Sequence, residues 1–152
     1  MIQEIQSIED LMINITKEIH VQASLEVTFE AILEEIGPSN ERGDGVPMPM
    51  VLEPWPGGRW YRDLGNDNGH YWAHVQAIKR PTLLEFSGPL FASFPFLSNV
   101  QYRLTEKDGG TLITFRHSGM GVIAPEQKAG INQGWSSILE RIHKRAEGLS
   151  SK

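Results

Sequence analysis

Cysteine is absent from the 152 residues. That excludes a disulfide scaffold, a thiol nucleophile and a thiolate metal site, and it suits a reducing compartment. Long apolar runs are missing as well. No stretch approaches the ~20 consecutive apolar residues of a membrane span. The N-terminus reads Met1-Ile2-Gln3-Glu4-Ile5-Gln6-Ser7, without the basic leader and unbroken apolar segment of an export signal, so a cytoplasmic location is expected. Positive charge is in deficit: 14 Lys and Arg against 19 Asp and Glu leave a net charge of −5. Nucleic-acid binding needs a basic face, and this balance argues against one. Neither G-x-S-x-G, nor a phosphate loop, nor G-x-G-x-x-G occurs; Gly57-Gly58 reads as a turn rather than a phosphate cradle.

What is present is an ordinary globular composition, with 39% hydrophobic and 22% charged residues. A chain of this length forms one domain and buries roughly two-thirds of its unfolded surface. Ile13, Ile15, Ile19 and Val21 alternate with polar residues, broken only at Lys17, which predicts a strand with one buried face. Ser24 stands at an N-cap position, Val27, Ala31, Ile32 and Ile36 follow at helical steps, and Gly37-Pro38 ends the run, so a helix comes next. After a loop from Ser39 to Val46, strands are expected over 48–53 (an edge, because of Pro49), 59–64, 70–79, 83–87, 99–106 and 111–118. Gly65-Asn66-Asp67-Asn68-Gly69 and Lys107-Asp108-Gly109-Gly110 read as tight hairpin turns. From Pro125 to Gly148 the period changes again: Ile131, Trp135, Ile138, Leu139, Ile142, Ala146 and Leu149 make a wide apolar stripe on a long helix. Ile2, Ile5, Ile8, Leu11 and Met12 fit either a short docking helix or a loose tail.

One strand, one helix, about six strands at hairpin spacing and one long helix make an α+β protein. The long helix must bury its stripe, and a curved antiparallel sheet of six to seven strands is the surface large enough. A helix gripped by a bent sheet leaves a hydrophobic cavity between them. The domain is placed at 13–149, with 1–12 as an extension.

That order resembles the START-like (SRPBCC) superfamily with its helix-grip fold. Within it, the sequence is most similar to homologues of the activator of heat-shock protein 90 ATPase, with the polyketide cyclase/dehydrase-like branch as a neighbour. The resemblance rests on Val21-Gln22-Ala23-Ser24 leading into Val27 and Phe29, and on Glu53-Pro54-Trp55-Pro56-Gly57-Gly58-Arg59-Trp60. It continues through Val75 to Phe86 by way of Pro81-Thr82-Leu83-Leu84-Glu85. It closes with Gly109-Gly110-Thr111-Leu112 through His117-Ser118-Gly119, followed by Gly134-Trp135-Ser136-Ser137-Ile138-Leu139. Superfamily members bind lipids, sterols, polyketides and plant hormones, and some are cyclases or hydrolases, so the fold sets no reaction.

Trp60, Phe86, Tyr102, Phe115 and Trp135 fall on apolar phases. With His117, Ile131 and Ile138 they are the expected wall of a site for a small hydrophobic molecule; the other reading is plain core. His117 continues the phase of Ile113 and Phe115, where an imidazole could act as a general base or as a hydrogen-bonded core residue. His74 is a second acid/base candidate, but neither phase of its strand is clearly apolar, which leaves its direction open. His70 and His74 lie about 13 Å apart along a strand at ~3.3 Å per residue, too far to share a metal. No metal or cofactor is expected. Glu53, Arg59, Arg62, Asp63 and Arg116 are ionisable groups in the expected strands and fit a pocket ion pair or surface cross-strand pairs. Phe91, Phe94 and Phe96 lie in a proline-bounded connection and are expected at a pocket entrance or in a homodimer contact, or folded over the core. Ligand binding without defined catalysis is the leading reading. The alternatives are a cyclase- or hydrolase-type enzyme and a module assisting a chaperone ATPase.

Overall fold

The computed structural model describes residues 7–151. A single 3-10 turn, Ile8–Leu11, leads straight into β1 (Met12–Val21). Apolar spacing leaves a short docking helix or a loose tail open here; the described residues show the single turn with Met12 already in the sheet, and Ile2 and Ile5 lie outside the described residues. Helix α1 (Leu25–Ile36) begins at Ser24, whose Oγ accepts the Val27 N–H at 3.1 Å. This satisfies one of the free donors of the first turn. The rest of the sheet is β2 (Val51–Leu52), β3 (Arg59–Gly65), β4 (Asn68–Lys79), β5 (Leu83–Gly88), β6 (Phe96–Lys107) and β7 (Gly110–Gly121), followed by α2 (Pro125–Ser150).

All seven strands pair antiparallel in the order β1-β7-β6-β5-β4-β3-β2. The chain thus crosses from one edge of the sheet to the other through α1 and the 37–50 loop, and then meanders back. Two-residue turns set the hairpin registers. Asn66 and Asp67 sit at φ 52° and 62°, and Asp108 and Gly109 at φ 51° and 77°. That left-handed pair matches the twist of the flanking strands. The sheet wraps α2, which gives the α+β helix-grip architecture. Trp135, Leu139, Ile142 and Ala146 of α2 are buried against it, whereas Leu149 is exposed.

Three details differ from the alternation of the sequence. The edge strand expected over 48–53 shrinks to Val51–Leu52, because Met48 and Met50 donate their N–H groups back to Asn40 and Gly37 carbonyls rather than to a sheet neighbour. The β5–β6 connection is shorter than expected: Phe96 and Leu97 already belong to β6. In β4, Trp60 pairs with Ala73 but Tyr61 pairs with Tyr71, which leaves Trp72 as an extra residue. A bulge of this kind turns two neighbours toward one face. Trp72 packs inward against Trp60, their rings 5.1 Å apart, beside the fully buried Ala73. His74 points outward and is exposed.

Candidate cavity between the long helix and the sheet

The inner face of the sheet is not filled evenly. Along one ridge of α2, Trp135 packs on Phe115 and His117 of β7, and Leu139 is buried in the core. The next ridge carries Gly130, Ile131, Gly134, Ile138 and Arg141, and these line a cavity of about 250 Å³. Trp60 and Trp72 form its sheet wall, Asn40, Glu41 and Met48 belong to the 37–50 loop, and Phe91 stands at the rim. The two glycines account for the space. A Cβ added at Gly130 or Gly134 would meet nothing within 4 Å, although each glycine costs a helix interior about 1 kcal/mol relative to alanine.

The walls are held by specific contacts. The Trp60 indole N–H donates to the Ile36 carbonyl at 2.8 Å, which caps the end of α1, and its ring stacks on Phe86 at 4.9 Å. Asn40 is buried and donates through Nδ2 to the Met48 carbonyl at 3.1 Å, pinning the loop. Glu35, buried on α1, accepts from Arg141 Nε at 3.1 Å and from Arg145 Nε at 2.6 Å. The pair of ion contacts locks α1 to α2 and fixes the Arg141 side chain at one end of the cavity.

The expected site residues divide into two sets. Trp60, Ile131, Trp135 and Ile138 line the cavity. Phe86, Tyr102, Phe115 and His117 do not; each is at most 1% exposed, in the core beneath it. Phe115 meets the Trp135 ring at 4.7 Å and Tyr102 at 5.1 Å, and Phe86 lies behind Trp60. Of the three phenylalanines, Phe91 is 46% exposed and touches Trp72 at 5.8 Å between ring centres. Phe94 is half-buried against Phe96, which is itself a core residue of β6.

His117 has a defined hydrogen-bond state. The indole N–H of Trp135 can only donate, and it lies 2.8 Å from His117 Nδ1. Nδ1 therefore accepts, and the neutral ring carries its proton on Nε2, which donates to Ser98 Oγ at 2.8 Å. Burial lowers the His117 pKa to about 4. Both nitrogens are engaged and neither faces the cavity, so the ring serves the packing of α2 on the sheet. His74, the other acid/base candidate, lies on the outer face with Nδ1 2.9 Å from the Tyr71 hydroxyl. Glu53 and Arg59 form a two-point pair with both contacts at 2.9 Å, away from the cavity, and the guanidinium holds the Glu53 carboxyl down at about 2. Among the described residues no group of His, Asp or Glu is arranged to hold a metal, and no helix is long and apolar enough to cross a membrane.

Sequence reasoning missed Trp72, Gly130, Gly134 and Arg141. Trp72 enters only through the bulge, which alternation does not announce. The glycines carried a readable signal: a four-residue spacing inside a helix, beside the apolar stripe.

The profile of the family described as Activator of Hsp90 ATPase homolog 1-like protein matches residues 46–147. No curated protein matches the sequence. Among solved structures, the di-domain ARO/CYC StfQ from the steffimycin biosynthetic pathway is similar at a TM-score of 0.65 with 9% identity, over 95% of this chain and 52% of that one. The present chain thus spans about half of StfQ. CalU16 from Micromonospora echinospora has a TM-score of 0.59 and 18% identity over 88% of this chain and 75% of that one. BH1534 from Bacillus halodurans has a TM-score of 0.65 and 20% identity over 90% of this chain and 99% of that one. At these identities the likeness is one of fold, and it agrees with the START-like, polyketide cyclase-like architecture.

Proposed function

The chain belongs to the Activator of Hsp90 ATPase homolog 1-like protein family, and from that premise we propose that it binds a small, ring-bearing apolar molecule in the cavity between α2 and the Trp60–Trp72 wall. The observation that carries this reading is the pairing of Gly130 and Gly134, open-sided on one helix face, with three tryptophans, Trp60, Trp72 and Trp135, around the space they leave. Flat indole faces suit flat ligands. An apolar cavity of about 150 Å³ takes up benzene. The space here suits one or two fused rings and lies near the lower end of ligand pockets, about 300–1,000 Å³.

Binding is favoured over histidine acid/base chemistry by where the histidines stand. His117 has both nitrogens engaged in the core and His74 lies on the outer face, so neither reaches a molecule in the cavity. Two relatives by fold carry names from biosynthetic loci or pathways, which fits a ring-bearing ligand for this chain.

The test is a titration with the neutral naphthalene dye prodan against the parent and Gly134→Leu. Leucine fills the open side of α2 and improves helix propensity by nearly 1 kcal/mol. The expected result is dye uptake by the parent, at least a tenfold loss in the variant and no fall in its unfolding midpoint. Equal uptake by both would refute the site.

A further inference from the structure

The outer face of the sheet departs from polar patterning at one end. An antiparallel sheet with one face on the core normally turns polar side chains outward on the other. Here Leu97 pairs with Met120, and Met120 with Met12, so three apolar side chains stand side by side on β6, β7 and β1. Leu97 is 68% exposed and Met120 53%. The next outward row is polar but uncharged. The register sets His74, Ser87, Asn99, Ser118 and Asn14 in line across β4, β5, β6, β7 and β1. Charge enters only one row further on, where Glu85, Gln101 and Arg116 are in line. The first two rows border an open depression on the surface, and none of their residues lines the cavity beside α2.

We infer that this strip is a self-association surface: two copies of the chain pack it face to face about a twofold axis beside Met120, on the middle strand of the apolar row. The charges favour a second copy as the occupant. The chain carries a net charge of −5, and the two rows hold no charged side chain, so two copies meet there without setting like charges against each other. The polar row is also self-complementary. Asn and Ser side chains each offer a donor and an acceptor, and those of Asn14 and Ser118 make no hydrogen bond among the described residues. A lipid surface fits less well, because the strip has no Lys, Arg or Trp to engage head groups. Facing sheets lie ~10 Å apart with interdigitated side chains, a gap that Leu and the adaptable Met side chain fill. Five strands at ~4.8 Å spacing make the strip about 19 Å wide. Two rows of that width bury less than the ~800 Å² per partner of a standard interface, which fits a weak, concentration-dependent dimer.

The experiment is sedimentation equilibrium of the full chain at about 10–500 µM, the range in which a weak interface shows. The mass should rise toward the dimer with concentration. Added salt should not reverse this, since the contact is uncharged and screening relieves the repulsion between two acidic copies. The variant Leu97→Ser/Met120→Ser changes only exposed positions; it should stay monomeric throughout, with circular dichroism equal to the parent's. A second measurement reads the position of the axis. The chain has no cysteine, so in Met120→Cys the new thiol can be oxidised only against its counterpart in a second copy. Mild oxidation should link Met120→Cys well before Thr105→Cys, a position exposed at the other end of β6, about 26 Å from Leu97 at ~3.3 Å per residue. A parent that is monomeric at every concentration overturns the inference. So does a dimer that the double variant leaves intact, which puts the contact elsewhere, and so does equal linking at the two positions.

Discussion

Replacing Trp135 with phenylalanine keeps an aromatic ring on Phe115 but removes the indole N–H that His117 Nδ1 accepts at 2.8 Å. His117 is 0% exposed, so no water takes over. Leaving one buried acceptor unsatisfied costs about 1–3 kcal/mol, and the lost ring adds on the order of 1 kcal/mol of packing. Trp135→Phe should therefore lose about 2–4 kcal/mol of stability. His117→Leu leaves the indole N–H orphaned in turn and carries a similar penalty. In the double variant both polar groups are gone, and its loss should be smaller than the sum of the single losses by at least about 1 kcal/mol. Urea unfolding at pH 7 with a constant slope measures all three. Additivity within about 0.5 kcal/mol would mean that the two side chains are merely close, and the assigned tautomer would lose its basis.

The same histidine makes stability pH-dependent. Its folded pKa, about 4, lies below the ~6.5 of the unfolded chain, so the unfolded state binds the proton more readily. Stability contributed by neutral His117 is full above pH 6.5, declines as pH falls and is lost by pH 4, up to about 3 kcal/mol at 1.36 per unit; a flat unfolding profile between pH 4 and 6.5 after allowance for the carboxylates would contradict this. Gly58→Ala should cost more than Gly57→Ala, because a Cβ at Gly58 would lie 1.9 Å from the Glu53 carbonyl oxygen, whereas Gly57 has open space and only its φ of 81° to lose. About 1 kcal/mol is expected for the latter, and the reverse order in thermal unfolding would count against the turn geometry. Phe91→Ser should weaken prodan uptake without changing the sedimenting mass, since Phe91 stands at the cavity rim against Trp72; a change in mass would instead make the loop a subunit contact.

Hairpins and helices were legible because their signals are local. Ser24 as a cap, Asp108-Gly109 as a turn and the Trp135–Ile142 stripe each act within a few residues of themselves, and each appears where its chemistry requires. The edge near Met48–Pro49–Met50 was less legible because its N–H groups had two sets of acceptors, in the sheet and in the 37–50 loop, and the loop took them. The division between core and cavity wall was not legible at all. Phe86, Tyr102 and Trp60 share an apolar phase, yet only Trp60 meets open space, since that depends on which ridge of α2 lies over each strand. Trp72 was hidden by a bulge, and Arg141 by its resemblance to any polar residue beside a helix stripe.

The most direct test is native mass spectrometry of the parent and of Gly134→Leu, each purified from the protein's own cells without detergent. A small-molecule adduct on the parent that is absent from the variant, with both proteins folded, is the predicted result. No adduct on either protein, or the same adduct on both, would contradict a ligand site beside Gly130 and Gly134.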